Sequence, residues 1–135
     1  MNIGQAAQKS GVPAKTIRYY ESVGLIDAPQ RTAASYRVYH DQEVQILRFI
    51  QRARSLGFSV HQVSELMALW KDRDRSSSQV KALARHHVEE IEMKIAELSD
   101  MRDTLMDLMD RCHGDSRPDC PILKELAREA GDSKS

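Results

Sequence analysis

The sequence has few aromatic residues, few cysteines and no long apolar run. Its 135 residues include two Phe, one Trp and two Cys. With so few aromatic side chains, the core of one chain must rest mainly on aliphatic residues and Met. No stretch reaches about 18 consecutive apolar residues, which excludes a transmembrane helix. The N-terminus also lacks the basic and apolar regions of a signal peptide, so we expect a cytoplasmic protein with no membrane partner.

The charge is balanced overall but unevenly distributed. Up to residue 58 there are eight Lys and Arg against four Asp and Glu, and after it there are twelve against sixteen. A basic N-terminal part beside an acidic C-terminal part indicates a polyanionic partner for the first part only.

Turn and capping residues divide the N-terminal part into short elements. Two short helices joined by a turn at Gly11 form a predicted helix-turn-helix. The alternating run 36–39 predicts a β-hairpin wing. Asp41 and Ser59 are the predicted N-caps of a third and a fourth helix. The predicted fold class is therefore mainly α, with a winged helix-turn-helix DNA-binding domain over residues 1–71.

A long helix is predicted over residues 79–111, after a polar hinge at 72–78 in which Ser76 can form a capping box with Gln79. Apolar residues recur at heptad positions along it, with Arg102 at one core position: Val88, Ile91, Ile95, Leu98, Leu105, Met109 and Cys112. At ~1.5 Å per residue the helix is about 50 Å long, too long to bury this stripe on so small a domain. A partner helix is implied, and a second copy of the chain is the simplest source, which predicts a homodimer.

The C-terminal region is predicted to contain a metal-binding loop and a short helix over residues 112–128, followed by a polar tail over 129–135. Seven residues separate Cys112 from Cys120, and Pro121 can start the helix. In the cytosol such cysteines are expected to be thiols or metal ligands rather than a disulfide. Two thiolates suit a soft monovalent ion such as Cu(I), whereas Zn(II) normally needs four ligands. This spacing is not a standard metal motif, so two free cysteines are the alternative.

The predicted DNA-reading residues lie on the second helix and the wing. Lys15, Arg18 and Tyr19 share one face of that helix, with Tyr20 beside them. A recognition helix needs long donors directed into the major groove, and Arg can bond guanine bidentately. The alternative is an ordinary solvated helix with Tyr20 in the core. Phosphate contacts are predicted for Arg31, Tyr36 and Arg37 on the wing. Arg54, with Arg52, is a further candidate on the third helix, and the equal alternative for both is an ordinary solvated charge.

Three segments resemble motifs of the MerR family of transcriptional regulators. They are IRYYESVGLI at 17–26, RTAASYRVY at 31–39 and ARSLGF at 53–58. The resemblance extends from residue 2 to about 126. It implies a dimer with an antiparallel coiled coil, which bends and untwists an overlong spacer in double-stranded promoter DNA and activates transcription with RNA polymerase. One departure is Ser35, where these proteins usually have Gly before the Tyr-Arg pair.

The stretch 112–122 resembles the metal loop of the copper-responsive CueR/HmrR branch of that family. This implies that Cys112 and Cys120 bind Cu(I), or Ag(I) or Au(I), which two thiolates do not separate from copper. Similar regulators of divalent ions carry a further Cys at the start of the dimerisation helix. Ser77 stands there in this sequence and implies selectivity for a monovalent ion. The genes under its control are then expected to serve copper efflux and detoxification.

Several other functions compete with a copper-responsive activator. A divalent-metal or thiol-redox sensor would have the same architecture. A cytosolic copper buffer or a thiol enzyme belongs to a different class, and the basic helix-turn-helix argues against both. The sequence also lacks C-x-x-C and any Cys-His-acid constellation, so we expect a protein that is not an enzyme.

Overall fold

The computed structural model describes residues 1–129, which fall into two compact units, Met1–Leu83 and the part from Ala84 onward. The predicted tail lies outside the described residues from position 130. The elements in chain order are α1 (Ile3–Ser10), α2 (Ala14–Ser22), β1 (Gln30–Arg31), β2 (Arg37–Val38), α3 (Asp41–Ser55), α4 (Val60–Lys71), α5 (Ser77–Arg111) and α6 (Pro121–Leu126). This order confirms the predicted mainly helical fold with a wing and a long helix.

The first two helices are delimited by local sequence. The Asn2 side chain accepts a 2.8 Å hydrogen bond from the backbone N–H of Gln5, and the Gln5 side chain accepts one from Asn2 N–H at 2.9 Å. This reciprocal pair satisfies two amide donors at the start of α1. Gly11 ends α1 with a φ of 78°, which glycine adopts without steric cost. Pro13 then precedes α2.

The wing is a two-stranded antiparallel hairpin in which Gln30 pairs with Val38 and Arg31 with Arg37. Its turn is closed by a hydrogen bond of 2.9 Å from Thr32 N–H to the Tyr36 carbonyl, and a second of 2.9 Å runs from Ser35 N–H to the Thr32 carbonyl. These bonds confirm the predicted hairpin.

Of the two predicted N-caps, the structure confirms the one of α4 but not the one of α3. Ser59 caps α4 as predicted, because its Oγ accepts from Gln62 N–H at 3.1 Å. The prediction of Asp41 as the cap of α3 was wrong, since His40 holds that position and Asp41 is the first helical residue. The extended backbone of His40 directs its N–H to the Glu43 carboxylate at 3.2 Å. Asp41 still places a negative charge in the first turn, where the helix dipole favours it.

The core of the first unit is formed by all four of its complete helices and by the residues that connect them. Thirteen of its buried apolar residues form one cluster: Ala6, Val12, Ile17, Tyr20, Leu25, Tyr39, Val44, Leu47, Ile50, Ala53, Phe58, Val63 and Met67. Helices α3 and α4 supply nearly half of this cluster, including Val44, Leu47, Ile50 and Val63. Phe49 and Trp70 stack beside this cluster with ring centroids 4.4 Å apart.

Helix α5 has 35 residues and begins at Ser77, two residues before the predicted start at 79, so Ser77 and Ser78 belong to the helix and not to the hinge. Near its start, Ser76 N–H donates to the Gln79 side chain at 3.3 Å, which is half of the predicted capping box, while Ser76 Oγ pairs with Ser78 Oγ at 2.6 Å. Most of the heptad positions are exposed in the protomer: Val88, Ile91, Ile95, Leu98, Leu105 and Met109. None of the helices in residues 1–129 combines the length and apolar character that a membrane crossing requires.

Candidate nucleic-acid interface and metal centre

Helix α2 presents three of the four predicted DNA-reading side chains to solvent. Lys15, Arg18 and Tyr19 are exposed, Tyr19 by 52% of its surface. Tyr20 is only 5% exposed and packs in the core. The Tyr20 ring therefore has little surface to offer a nucleic acid, and it holds α2 against the core.

The wing and α2 share one concave surface. A cleft of about 240 Å³ is lined by Arg18 of α2, by Asn2 and Ile3 of the N-terminal turn, and by the wing residues Arg31, Ser35, Tyr36 and Arg37. Four of the predicted DNA-binding residues therefore meet in one place. Three guanidinium groups around a cleft attract a phosphate backbone, because each carries a positive charge and several donors.

Two of the predicted arginines make internal hydrogen bonds. Arg31 Nη1 donates to the Ser35 carbonyl at 3.0 Å, and Arg54 Nη1 donates to the Phe58 carbonyl at 2.7 Å. Arg31 thereby supports the wing turn, and Arg54 supports the turn between α3 and α4. A guanidinium has five N–H donors, so each arginine retains donors for a phosphate.

Arg37 forms an ion pair with Glu21, a residue of the 17–26 motif for which the sequence predicts no role. Its Nε lies 3.3 Å from Glu21 Oε2, and the other oxygen of Glu21 accepts a 2.5 Å hydrogen bond from the Tyr39 hydroxyl. Glu21 follows Arg18 by three residues, which places both on one face of α2. That spacing was the available signal that Glu21 belongs to the same surface.

Tyr39 is the buried member of this group, with 1% of its surface exposed. Burial raises the pKa of Tyr39 well above its ordinary value of 10.0, and the hydrogen bond to Glu21 and the charge of Glu21 act in the same direction. Tyr39 therefore remains a neutral donor to the Glu21 carboxylate at physiological pH.

The two cysteines lie at the two ends of an exposed loop. Cys112 directly follows α5, and its N–H donates to the Met109 carbonyl at 3.1 Å. Cys120 occupies the N-cap of α6. Both are half-buried free thiols. The loop is braced by a 2.8 Å bond from Arg117 Nε to the Asp115 carboxylate.

The donor chemistry of this loop fits a soft metal ion, because thiolates are the preferred ligands of such ions. Among residues 1–129 there is no group of three or more His, Cys, Asp or Glu side chains arranged to hold a metal ion. His113 is exposed beside Cys112, and Ser77 is exposed at the first residue of α5. Ser77 is thus the first residue of α5, and Cys112 directly follows its last residue, Arg111.

Comparison with known proteins agrees with the fold and with the motifs on this surface. Residues 1–70 match the family described as MerR HTH family regulatory protein, and residues 44–108 match the one described as MerR, DNA binding. The chain belongs to the MerR family. This confirms the resemblance seen in the sequence. It establishes a DNA-binding transcriptional regulator, and regulators of this family are not enzymes.

Several relatives of this MerR protein align over nearly its whole length. It is 58% identical to the HTH-type transcriptional regulator HmrR of Sinorhizobium medicae, covering 100% of this chain and 92% of the relative. It is 40% identical to the HTH-type transcriptional regulator CueR of Salmonella typhimurium, covering 94% and 92% of the two chains. The crystal structure of PbrR691 from Ralstonia metallidurans in complex with lead(II) superposes with a TM-score of 0.82 at 31% identity, covering 94% and 99%.

Proposed function

We propose that this MerR protein is a cytoplasmic, homodimeric transcription activator that responds to Cu(I). The observation that carries the proposal is the pair of half-buried free thiols, Cys112 and Cys120, at the end of α5. The chain that contains them is 58% identical to an HmrR and 40% identical to a CueR. Other relatives, 58% and 54% identical, are named heavy metal-dependent transcription regulators of Rhizobium meliloti.

The proposed effector ligands are the two thiolates. Soft monovalent d10 ions accept two sulfur ligands, and Ag(I) and Au(I) share this preference with Cu(I). Cys112 directly follows α5 and Cys120 directly precedes α6, so a ligand shared by both thiolates would tie the start of α6 to the end of α5. Such a tie can act as a switch only if the metal favours one of two protein–DNA arrangements.

The proposed dimer uses the exposed heptad residues of α5, which in one chain leave a row of large apolar side chains in water. An antiparallel pair would bring the start of α5 in one chain towards the end of α5 in the other. We therefore propose that the partner subunit's Ser77 stands near the cysteine loop and favours a monovalent ion. The positive end of the helix dipole there would favour an anionic bis-thiolate site.

The proposed DNA contacts are divided between base reading and phosphate binding. Lys15, Arg18 and Tyr19 would enter the major groove on α2. Arg31, Tyr36, Arg37 and Arg54 would contact phosphates through their exposed donors. By distorting the promoter spacer for RNA polymerase, the dimer would control genes of copper efflux and detoxification.

Transcription from a bound promoter, measured with Cu(I), Ag(I) and Zn(II), tests the proposal. We expect activation by the monovalent ions and loss of it in Cys112→Ser, which should keep its affinity for the promoter. His113→Ala is the matched control, because it changes a neighbouring exposed side chain outside the proposed ligand set. A response to Zn(II) alone would contradict the proposal. X-ray absorption at the metal edge should find two short sulfur contacts; a mixed shell of four ligands would redirect the assignment to a divalent-metal sensor.

A further inference from the structure

The Glu21 carboxylate is a nearly buried charge that bonds across to the wing. Its side chain is 9% exposed although it lies on α2, the helix that carries Arg18. One oxygen accepts from the Tyr39 hydroxyl at 2.5 Å and the other lies 3.3 Å from Arg37 Nε. Arg37 is in β2 and Tyr39 directly follows that strand. One side chain of α2 therefore accepts a hydrogen bond from Tyr39 and forms an ion pair with Arg37.

We propose that Glu21 is a positioning residue that sets the wing against the recognition helix and thereby determines how well the protein distinguishes its operator from other DNA. This rests on the DNA contacts proposed above for Arg18 and Arg37. Both arginines line the same cleft, and Glu21 lies one helical turn from Arg18. Glu21 then fixes the distance between Arg18, the proposed base-reading residue, and Arg37, the proposed phosphate-binding residue.

The physical basis is the cost of a buried charge. A carboxylate removed from water is tolerated when its oxygens receive hydrogen bonds or an opposite charge, and Tyr39 and Arg37 supply these. The Tyr39 hydroxyl is hydrogen-bonded to one oxygen, whereas Arg37 Nε makes no hydrogen bond within residues 1–129 and is attracted to the other oxygen by charge alone. A shift of the wing away from α2 would weaken both contacts. Glu21 also offsets part of the positive charge of Arg37, which limits the attraction of that guanidinium for any phosphate regardless of sequence.

These two effects predict opposite changes when the charge of Glu21 is removed. In Glu21→Gln the amide oxygen still accepts from the Tyr39 hydroxyl, but the attraction for Arg37 is lost. The wing is then held on one side only, so affinity for the operator should fall. The cleft gains one net positive charge, so affinity for unrelated DNA should rise. Its dependence on salt should also steepen, by up to about 0.9 in the slope of log affinity against log salt for one added phosphate contact. A residue that only supports the fold would weaken both affinities together.

The experiment uses the full-length dimer with two 30-base-pair duplexes, one selected from random DNA for binding to the wild type and one scrambled from it. Affinities are measured between 50 and 200 mM salt. We expect Glu21→Gln to lower the ratio of the two affinities by about tenfold, the size of an ordinary coupling between two sites. Glu65→Gln is the matched control, because it removes the same charge from an exposed position on α4, where Glu65 pairs with His61 at 3.3 Å.

The unfolding midpoint of Glu21→Gln shows whether that variant folds normally. If it does not, Tyr39→Phe provides a second test of the role of Glu21. Tyr39→Phe removes the hydroxyl but no charge at neutral pH, so we expect a reduced affinity ratio at an unchanged salt slope. An equal loss on both duplexes in Glu21→Gln, or an unchanged ratio in Tyr39→Phe, would overturn the role of Glu21. A wild type that shows no preference for any selected duplex would instead overturn the DNA contacts on which the inference rests.

Discussion

Arg31 donates a 3.0 Å hydrogen bond from Nη1 to the carbonyl of Ser35, which has a left-handed backbone with a φ of 66°. Ser35 is the only residue other than glycine with a positive φ in residues 1–129. At this position the sequence departs from the family pattern, which usually has Gly. The wing keeps its turn although Ser35 has a side chain. A positive φ is unfavourable for a residue with a Cβ, and the hydrogen bond from Arg31 helps to stabilise it at Ser35.

Ser35→Gly should therefore stabilise the wing turn. A residue with a Cβ is destabilised by about 1–2 kcal/mol in the left-handed region. Replacing it with glycine removes this penalty, but glycine loses more conformational entropy on folding. We therefore expect a net increase of about 0.5–1 kcal/mol in the local stability of the wing turn. Hydrogen exchange of the backbone amides at positions 32 and 35, both hydrogen-bonded in the turn, measures this change in local stability. Ala34→Gly serves as the control because Ala34 has no positive φ, and it should slow no amide. Faster exchange in Ser35→Gly would contradict the strain argument.

Tyr39 should make the stability of the protein sensitive to alkaline pH. Its folded-state pKa lies above the ordinary 10.0, so the folded chain holds the proton more tightly than the unfolded chain. The stabilising contribution is complete below pH 10 and is lost as pH rises towards the folded-state pKa, at up to about 1.4 kcal/mol per pH unit.

Denaturant unfolding of wild type and Tyr39→Phe between pH 8 and 11 isolates this contribution. The free energy of unfolding of the variant should fall less steeply above pH 10. At neutral pH the variant should be less stable by about 1–3 kcal/mol, because Glu21 loses a buried donor. Parallel curves for the two proteins would show that Tyr39 does not titrate in this way.

Leu98→Lys should dissociate the dimer proposed for α5. Leu98 lies on the heptad seam and is 62% exposed in the protomer, so the change should leave the fold of each chain intact. Burying a Leu contributes about 1.5–3 kcal/mol, and twofold symmetry repeats the loss, which predicts a dissociation constant at least about 100-fold higher. Met93→Lys is the control, since Met93 is 66% exposed but off the seam. Sedimentation velocity over a concentration series distinguishes them, and equal behaviour of the two variants would place the interface elsewhere.

Arg18→Ala should weaken binding to a selected operator duplex by about 1–3 kcal/mol and relax sequence preference. The reason is that Arg18 is exposed on α2 within the cleft and is the residue there best suited to bond guanine. Lys94→Ala removes one positive charge from α5, where Lys94 pairs with Glu97 at 3.4 Å, and controls for net charge. Fluorescence anisotropy with labelled duplexes measures both variants. Unchanged operator affinity in Arg18→Ala would mean that another face of α2 reads the DNA.

The local features of this protein are determined by its sequence alone. Asn2 and Gly11 delimit α1, Ser59 starts α4, and the heptad spacing marks α5 as one long helix with an apolar seam. Each of these follows from interactions within a few residues, since capping, turn formation and helical periodicity depend on near neighbours. The position of the two cysteines at the ends of a loop also follows from the helix boundaries around them.

Other features were decided only by the tertiary structure. Tyr20 packs in the core beside the exposed Tyr19 because burial depends on which helices pack against α2. Glu21 meets Tyr39, eighteen residues away along the chain, because the hairpin returns β2 to α2. A pattern of residue types cannot supply such a pairing, since the free energy of a buried charge depends on the geometry of distant partners. The sequence therefore determined which elements form, and the packing decided which of their polar side chains act together.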